Sequence, residues 1–145
     1  MFGIACGPYL PVEDLQPSGR RAQIDRLEAE MRELPQLEIR TTNTFGPGFY
    51  VRTIEAPAGA VIVGKVHATE HVFALTKGTL RIVTEDGEAE ISAPFQQVCR
   101  PGLKRAGVAI SDIECSNLHI TNETDLVKLE AMLIEPPPLL EGSAS

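Results

Sequence analysis

Cysteine is scarce in this sequence and shows no pattern that indicates a cross-link or a metal site. The three cysteines, Cys6, Cys99 and Cys115, are an odd number, and none belongs to a C-x-x-C pair. Disulfide frameworks need paired cysteines and cysteine zinc sites need closely spaced ones, so neither is expected. We predict reduced, partly buried thiols.

Clusters of positive charge and long apolar runs are also missing. The chain has 13 Lys and Arg against 20 Asp and Glu, a formal net charge of −7, and no basic patch suited to a phosphate backbone. No apolar run approaches the roughly 18 residues that a membrane helix needs, and the N-terminus lacks a signal-peptide pattern. We therefore expect no nucleic-acid partner, no membrane segment and a cytoplasmic location.

The length of the chain and its proline distribution predict one domain with two tails. A chain of 145 residues is long enough to form one core of its own. We assign residues 1–17 to an N-terminal arm, 18–135 to the domain and 136–145 to a flexible proline-rich tail.

Two helices are predicted, one near each end of the domain. The first covers residues 19–34, with Ser18 as its cap and Pro35 as its stop. Its apolar face would consist of Ile24, Leu27, Met31 and Leu34. The second is short, covers residues 124–133 and opens at Thr124-Asp125. Its apolar face would consist of Leu126, Leu129 and Leu133.

Between the helices, from about residue 40 to residue 121, the sequence predicts strands. Short runs rich in Val, Ile, Thr and Phe recur: GPGFYVRTIEA, GAVIVGKV, HVFALTKGTLRIVT, EAEIS, QQVC, RAGVAI and CSNLHI. Asp86-Gly87 is a hairpin signal, and Gly78 and Gly102 mark two further reversals. This spacing favours a mainly β fold, an antiparallel sandwich or small barrel, over alternating βαβ units.

The string HATEH, residues 67–71, allows two interpretations. On a helix it would match H-x-x-E-H, a zinc-peptidase signature whose glutamate is the base. A helix here would include two glycines and several β-branched residues, which disfavours it by roughly a few kcal/mol. On a strand side chains alternate, so His67 and His71 share one face. Glu70 then points to the other face unless a bulge turns it in.

These features resemble the cupin superfamily, small β-barrels built as a double-stranded jelly roll. The first cupin motif places metal ligands four residues apart and a glycine seven after the second, and His67, His71 and Gly78 reproduce that spacing. PAGAVIVGKV resembles the strand that leads into this motif, and APFQQVCRPGLKR resembles the second motif. The resemblance, over residues 57–105, implies a cupin jelly-roll barrel between the two predicted helices.

Three positions depart from the cupin pattern. When the motif is anchored on Gly78, Lys65 stands where the first histidine is usual and His71 where the glutamate is usual. Arg105 stands in place of the second-motif histidine, and only His67 matches the pattern.

Several strings together narrow the resemblance: LPQLE, GFYVR, GKVHATEH, TEDG, APF, PGLKR and HITNETDL. Over residues 20–135 they resemble small single-domain cupins encoded by tailed bacteriophages and prophages. The resemblance implies an architecture and a phage setting, in the host cytoplasm or the virion, without a reaction. We expect a homo-oligomer that pairs through an edge strand or the N-terminal helix, with other virion proteins as candidate partners.

Histidine is rare as well, and a rolled sheet can bring all three histidines together. His119 lies in the late run CSNLHITNETD, which in a jelly roll can lie beside the strand of His67 and His71. Three neutral imidazoles suit a divalent ion such as Zn, Fe, Ni, Mn or Cu, with one position left open. The alternative is a metal-free, hydrogen-bonded pair of His67 and His71.

Further polar side chains would face the cavity of a cupin barrel. Arg105 has the forked geometry that binds a carboxylate or phosphate, and Tyr50, Arg52 and Lys65 are candidates to orient that anion. For the three cations the alternative is a solvated surface charge. Glu70, or a bound water, is the candidate catalytic base.

Three functions stay open at this level. One is a metal-binding cupin that takes a small anionic ligand, with or without a reaction. Another is a virion structural or accessory protein that uses the jelly roll as a scaffold, since fold alone does not decide function. The last is a sensor that binds a small anion without turnover.

Overall fold

A computed structural model describes the backbone of residues 3–6 and the whole of residues 20–134. The cap predicted at Ser18, the remainder of the N-terminal arm and the proline-rich tail at 136–145 lie outside these residues. No helix among the described residues is long and apolar enough to cross a bilayer.

Strands dominate the described chain, as the sequence predicts. The elements in chain order are β1 (Gly3–Cys6), α1 (Arg20–Arg32), β2 (Arg40–Gly46), β3 (Phe49–Ala56), β4 (Val61–Gly64), β5 (His71–Lys77), β6 (Thr79–Thr84), β7 (Gly87–Ser92), β8 (Phe95–Cys99), β9 (Arg105–Ala109), β10 (Ile113–Ile120) and α2 (Leu126–Leu133). Every apolar run singled out in the sequence contributes a strand. β1 falls in the segment assigned to an arm, where its backbone pairs with β4.

The strands form two five-stranded antiparallel sheets. One has the order β1-β4-β9-β6-β7 and the other β2-β3-β10-β5-β8. The predicted hairpin at Asp86-Gly87 joins β6 to β7, with Thr84 opposite Gly87. Phe73 and Leu75 alternate inward along β5, as period-two patterning requires.

The main core lies between the two sheets. It contains Ala56, Ala60, Phe73, Leu75, Leu80, Cys99, Ala109, Ile113 and Cys115. The thiols of Cys99 and Cys115 are free and buried, which confirms the prediction for these two; the side chain of Cys6 lies outside the description.

Helix α1 covers the outer face of the first sheet. Its buried side chains Ile24, Leu27 and Met31 pack with Val61 and Val63 of β4. The helix therefore uses the predicted apolar face, although it ends at Arg32 and is shorter than predicted.

A buried ion pair ties α1 to the loop before β9. The Lys104 ammonium, 5% exposed, lies 2.5 Å from a carboxylate oxygen of Glu28 and 3.4 Å from one of Asp25. Arg21 donates to the carbonyl of Gly102 at 3.3 Å. This loop precedes Arg105, so α1 helps to set the position of that residue.

Helix α2 closes one end of the second sheet. Asp125 caps it by accepting hydrogen bonds from the backbone N–H groups of Val127 and Lys128, at 2.9 and 3.1 Å. Leu129 and Leu133 pack against Tyr50. Leu126, predicted on the same face, is 47% exposed because at the first helical position it lies outside the cluster that Leu129 and Leu133 form with Tyr50.

Gly78, the motif glycine between β5 and β6, offers a test of the fold. Its φ is +85°, and an added Cβ would overlap the carbonyl oxygen of Asp112. We expect Gly78→Ala to lower the free energy of unfolding by more than about 2 kcal/mol, because backbone strain and a backbone clash combine. Urea denaturation would measure it.

Gly48 provides the matched control for this prediction. Its φ is +81°, but an added Cβ meets nothing within 4 Å. Gly48→Ala should therefore cost only the conformational strain, about 1–2 kcal/mol. Equal losses in the two variants would contradict the close approach of Gly78 to the β9–β10 turn.

Candidate metal centre

The structure brings all three histidines of the chain together next to strands β5 and β10 of the second sheet. The ring centroids of His67 and His71 are 4.2 Å apart, those of His67 and His119 4.9 Å, and those of His71 and His119 5.1 Å. One ligand nitrogen from each ring lies within 4.8 Å of the others. The rings are 4%, 4% and 0% exposed. The predicted convergence is therefore confirmed.

Strand pairing explains the approach of His119 to His71. β10 pairs with β5 so that Leu118 stands opposite Val72, which puts the following residue, His119, beside His71. On its other side β10 pairs with β3, where His119 stands opposite Tyr50. The ladder of the sheet, rather than a local motif, brings the two histidines together.

His67 reaches the cluster by a different route from the one predicted. The expectation that it shares a strand with His71 is wrong, because β5 begins only at His71. His67 forms an isolated backbone bridge with Ile134, and its carbonyl accepts from the N–H of Gly102 at 3.0 Å. A bend at residues 68–69 then turns the chain into β5.

Burial keeps the three imidazoles neutral at physiological pH. Desolvation, then the neighbouring His71 and His119, lower the pKa of His67 to about 2. Desolvation, then His71 and Arg105, lower the pKa of His119 to about 4. Desolvation also lowers the pKa of His71, against an opposing hydrogen bond to the Thr69 carbonyl. Neutral imidazole is the protonation state that binds metals.

The nitrogens of the cluster fit a metal ion. Nδ1 of His71 lies 3.1 Å from the carbonyl oxygen of Thr69; a proton on Nδ1 leaves the Nε2 lone pair free to ligate. That Nε2, and both ring nitrogens of His119, are buried without a hydrogen-bond partner among residues 20–134. Buried polar atoms without partners are costly, and a bound divalent ion would satisfy Nε2 of His71 and one of the two nitrogens of His119.

Arg105 lies at the start of β9, beside the histidines. Its guanidinium donates to Oδ1 of Asn117 at 3.2 Å and to Sγ of Cys99 at 3.4 Å, and it lies 4.5 Å from the ring centre of Phe73. Burial lowers the pKa of Arg105. No carboxylate among residues 20–134 lies within 4.0 Å of it, so its positive charge has no counter-ion there.

A cavity of about 140 Å³ opens next to this arginine. Arg105, Arg52, Lys65 and His67 all contribute to its wall, which is otherwise mainly apolar. Lys65 forms an ion pair of 2.8 Å with Glu130 of α2. Three of the four predicted anion-binding residues therefore share one cavity with His67.

Tyr50, the fourth predicted anion-binding residue, is buried behind His119. Its hydroxyl donates to Oδ1 of Asn43 at 2.6 Å, and the ring centroids of Tyr50 and His119 are 6.2 Å apart. It supports the histidine from outside this cavity.

Glu70 lies away from the cluster. Its side chain is exposed just before β5 and does not belong to the histidine group. Its role as a catalytic base stays a prediction.

Sequence reasoning missed Asn117, which accepts a hydrogen bond from Arg105. A signal existed, because Cys115, Asn117 and His119 alternate along β10 and therefore share one face. An asparagine between two inward positions of a strand indicates a polar partner inside the barrel.

Comparison with known proteins bears on the fold. No family model matches the sequence, and no curated protein is similar enough in sequence to count as a relative. A Cupin 2 conserved barrel domain protein from Salinispora arenicola superposes with a TM-score of 0.50 and 13% identity, covering 70% of this chain and 89% of that one. A cupin superfamily protein from Desulfitobacterium hafniense superposes with a TM-score of 0.50 and 7% identity, covering 63% and 85%. The fold is a cupin-type jelly roll.

An acetylacetone dioxygenase from Acinetobacter johnsonii is a more distant match to the same barrel. It has a TM-score of 0.47 and 16% identity, and the match covers 57% of this chain and only 59% of the dioxygenase.

The neutral histidines make the metal-free barrel sensitive to acid. The folded state keeps His67 and His119 neutral down to pKa values of about 2 and about 4, whereas the unfolded chain protonates its histidines near pH 6.5. The unfolded state then binds more protons, so stability falls as the pH falls below about 6.5. Each histidine contributes up to about 1.4 kcal/mol per pH unit.

Urea denaturation in the presence of EDTA, between about pH 7 and pH 5, would measure how the free energy of unfolding changes with pH. This interval lies above the range in which most carboxylates titrate. The free energy of unfolding of the His119→Leu variant should depend less on pH, because the substitution removes one of the titrating histidines. A stability that does not change over this interval would contradict the burial of neutral imidazoles.

Proposed function

We propose that this chain is a metal-binding cupin-fold protein that holds one divalent transition-metal ion and a small anion beside it. The observation that carries the proposal is the set of three buried histidines, His67, His71 and His119, with ligand nitrogens within 4.8 Å of one another. No carboxylate of residues 20–134 takes part in this cluster, so the ligand set there consists of neutral imidazoles.

The donor type narrows the choice of ion. Imidazole nitrogen suits Zn, Fe, Ni and Cu better than Mn, which prefers oxygen ligands. Three protein ligands leave a position open, and an ion bound in this way supplies a Lewis acid or an activated water.

The protein's own residues shape what can approach the site. The backbone carbonyl of Thr69 orients His71, and Tyr50 packs on His119. The guanidinium of Arg105 supplies a fixed positive charge on the cavity wall. These groups support binding of a small anion next to the histidines.

Elemental analysis tests the metal centre. Protein as isolated, and after incubation with Zn, Fe, Ni, Mn and Cu, is expected to hold about one ion per chain. His67→Ala and His119→Ala should each lose it, because two remaining imidazoles form an incomplete ligand set. Thermal unfolding of the variants without metal would show that the barrel still folds.

Glu70→Gln is the matched control for these variants. The exposed side chain of Glu70 lies outside the cluster, so the metal content of the Glu70→Gln variant should equal that of the unaltered protein. The metal centre would be refuted if no ion is retained under any loading condition, or if the histidine variants retain it.

A second candidate function is that of an interaction protein. Several large apolar side chains are exposed, among them Ile120 and Val127, each 80% exposed, and such surfaces often mark contacts with other proteins. The phage setting, the virion role and the homo-oligomer are proposals that rest on the sequence motifs and on this exposure.

Light scattering tests the oligomer directly. We expect a mass above that of one 15.7 kDa chain, reduced to the monomer mass by Val127→Asp if α2 contributes to the contact.

Presence of the protein in purified phage particles at a fixed ratio would support the virion role, and its consistent absence from them would refute it.

A further inference from the structure

We infer that the anion bound beside the histidines is a monocarboxylate with a compact apolar body, about the size of a six-carbon ring, whose carboxylate binds Arg105. The inference builds on the anion-binding part of the proposed function and adds the chemical class of the ligand. It rests on the charge of one residue and on the shape and lining of the neighbouring cavity.

Arg105 requires a negative partner. A guanidinium is always charged and carries five N–H donors, of which Asn117 and Cys99 engage two. No carboxylate of residues 20–134 lies within 4.0 Å of it, whereas Lys65, on the same cavity wall, is paired with Glu130. A partly buried charge without a counter-ion is costly, and a ligand carboxylate can bind the guanidinium through two parallel hydrogen bonds.

The third cation of the cavity wall, Arg52, shares the acid of α2. Desolvation lowers the pKa of Arg52, and the smaller electrostatic effects of Tyr50, Cys115 and Glu130 raise it. No Asp or Glu of the described residues lines the cavity itself. A ligand with one negative charge would therefore balance the charge of Arg105, the cavity residue that lacks an acidic partner. A second negative charge on the ligand would have no comparable cation to bind.

Most of the remainder of the cavity wall is hydrocarbon, with Gln36 and Thr41 as polar exceptions. Side chains from both sheets and from the segment before β2 form this part: Leu37, Ile39, Ile54, Ile62, Leu80 and Ile82. A phosphate or a sugar would lose more hydration here than these few polar groups could replace. An apolar body would gain the hydrophobic contribution of burial.

The volume sets the size of that body. The cavity measures about 140 Å³, and an apolar protein cavity of about 150 Å³ is known to accept benzene. A ring of six carbons, or a branched chain of similar bulk, fills such a space. Benzoate is therefore a suitable probe, with benzamide as a neutral analogue of the same shape.

The experiment uses the full chain, after EDTA treatment and after metal loading. Isothermal titration calorimetry would compare benzoate, benzamide and inorganic phosphate, and methyl NMR would follow the isoleucines of the cavity. We expect one benzoate site per chain, with binding about 10- to 100-fold tighter than that of benzamide, because the charge-assisted hydrogen bonds are lost in the amide. Phosphate should bind more weakly than benzoate.

Two variants, Arg105→Met and Ile54→Phe, and one control, Arg100→Met, locate the site. Arg105→Met should lose the preference for benzoate over benzamide, while Arg100→Met, at an exposed arginine paired with Asp86, should keep it. Ile54→Phe should weaken both ligands, because the larger ring occupies the cavity. If Arg105→Met does not fold, Ile54→Phe and the comparison with benzamide still decide the question.

The outcomes separate this inference from the metal centre. Benzoate binding by EDTA-treated protein that also fails to load metal would support the inference and refute the metal centre. A metal-loaded protein that binds no benzoate would overturn the inference alone. Equal affinities for benzoate and benzamide, tighter binding of phosphate, or an unchanged preference in Arg105→Met would also overturn it.

Discussion

The register of β10 is the constraint on which the site depends. This strand pairs along its length with β3 and with β5, and the pairing puts His119 opposite Tyr50 on one side and next to His71 on the other. A slip of one residue would turn every side chain of β10 to the other face. His119 and Asn117 would then leave the interior, and both the imidazole cluster and the support of Arg105 would be lost together.

The surrounding elements hold the parts that the sheet alone does not position. α2 contributes the backbone partner of His67 through Ile134 and the acid that pairs with Lys65. α1, on the opposite sheet, binds the loop before Arg105 through the buried Lys104–Glu28 pair. Two helices on different sheets thus fix the two sides of one cavity, which explains why a small barrel keeps buried charges that would otherwise be costly.

Much of the fold could be predicted from the sequence because its signals are local. The alternation of apolar and polar residues in HVFALTK depends on neighbouring residues only, and so does the hairpin signal at Asp86-Gly87. The strand and the turn that they predict occur where expected. β1 could not be predicted in the same way, because a strand of four residues is defined by its pairing with β4. The pairing of Lys65 with Glu130 and the position of His67 outside β5 likewise depend on tertiary contacts.

Arginine at position 105, where the cupin motif that the sequence resembles has a histidine, gives the site its character. A fourth imidazole there would add another neutral ligand, whereas Arg105 adds a permanent charge held by Asn117 and Phe73. Three neutral histidines leave the charge of a divalent ion uncompensated, so an ion and Arg105 would both favour an anion in the same apolar space. The ion and the bound carboxylate would therefore stabilise one another, although their sites consist of different residues. The cluster exists without Arg105, and no carboxylate of residues 20–134 lies within 4.0 Å of Arg105 whether or not the cluster binds a metal.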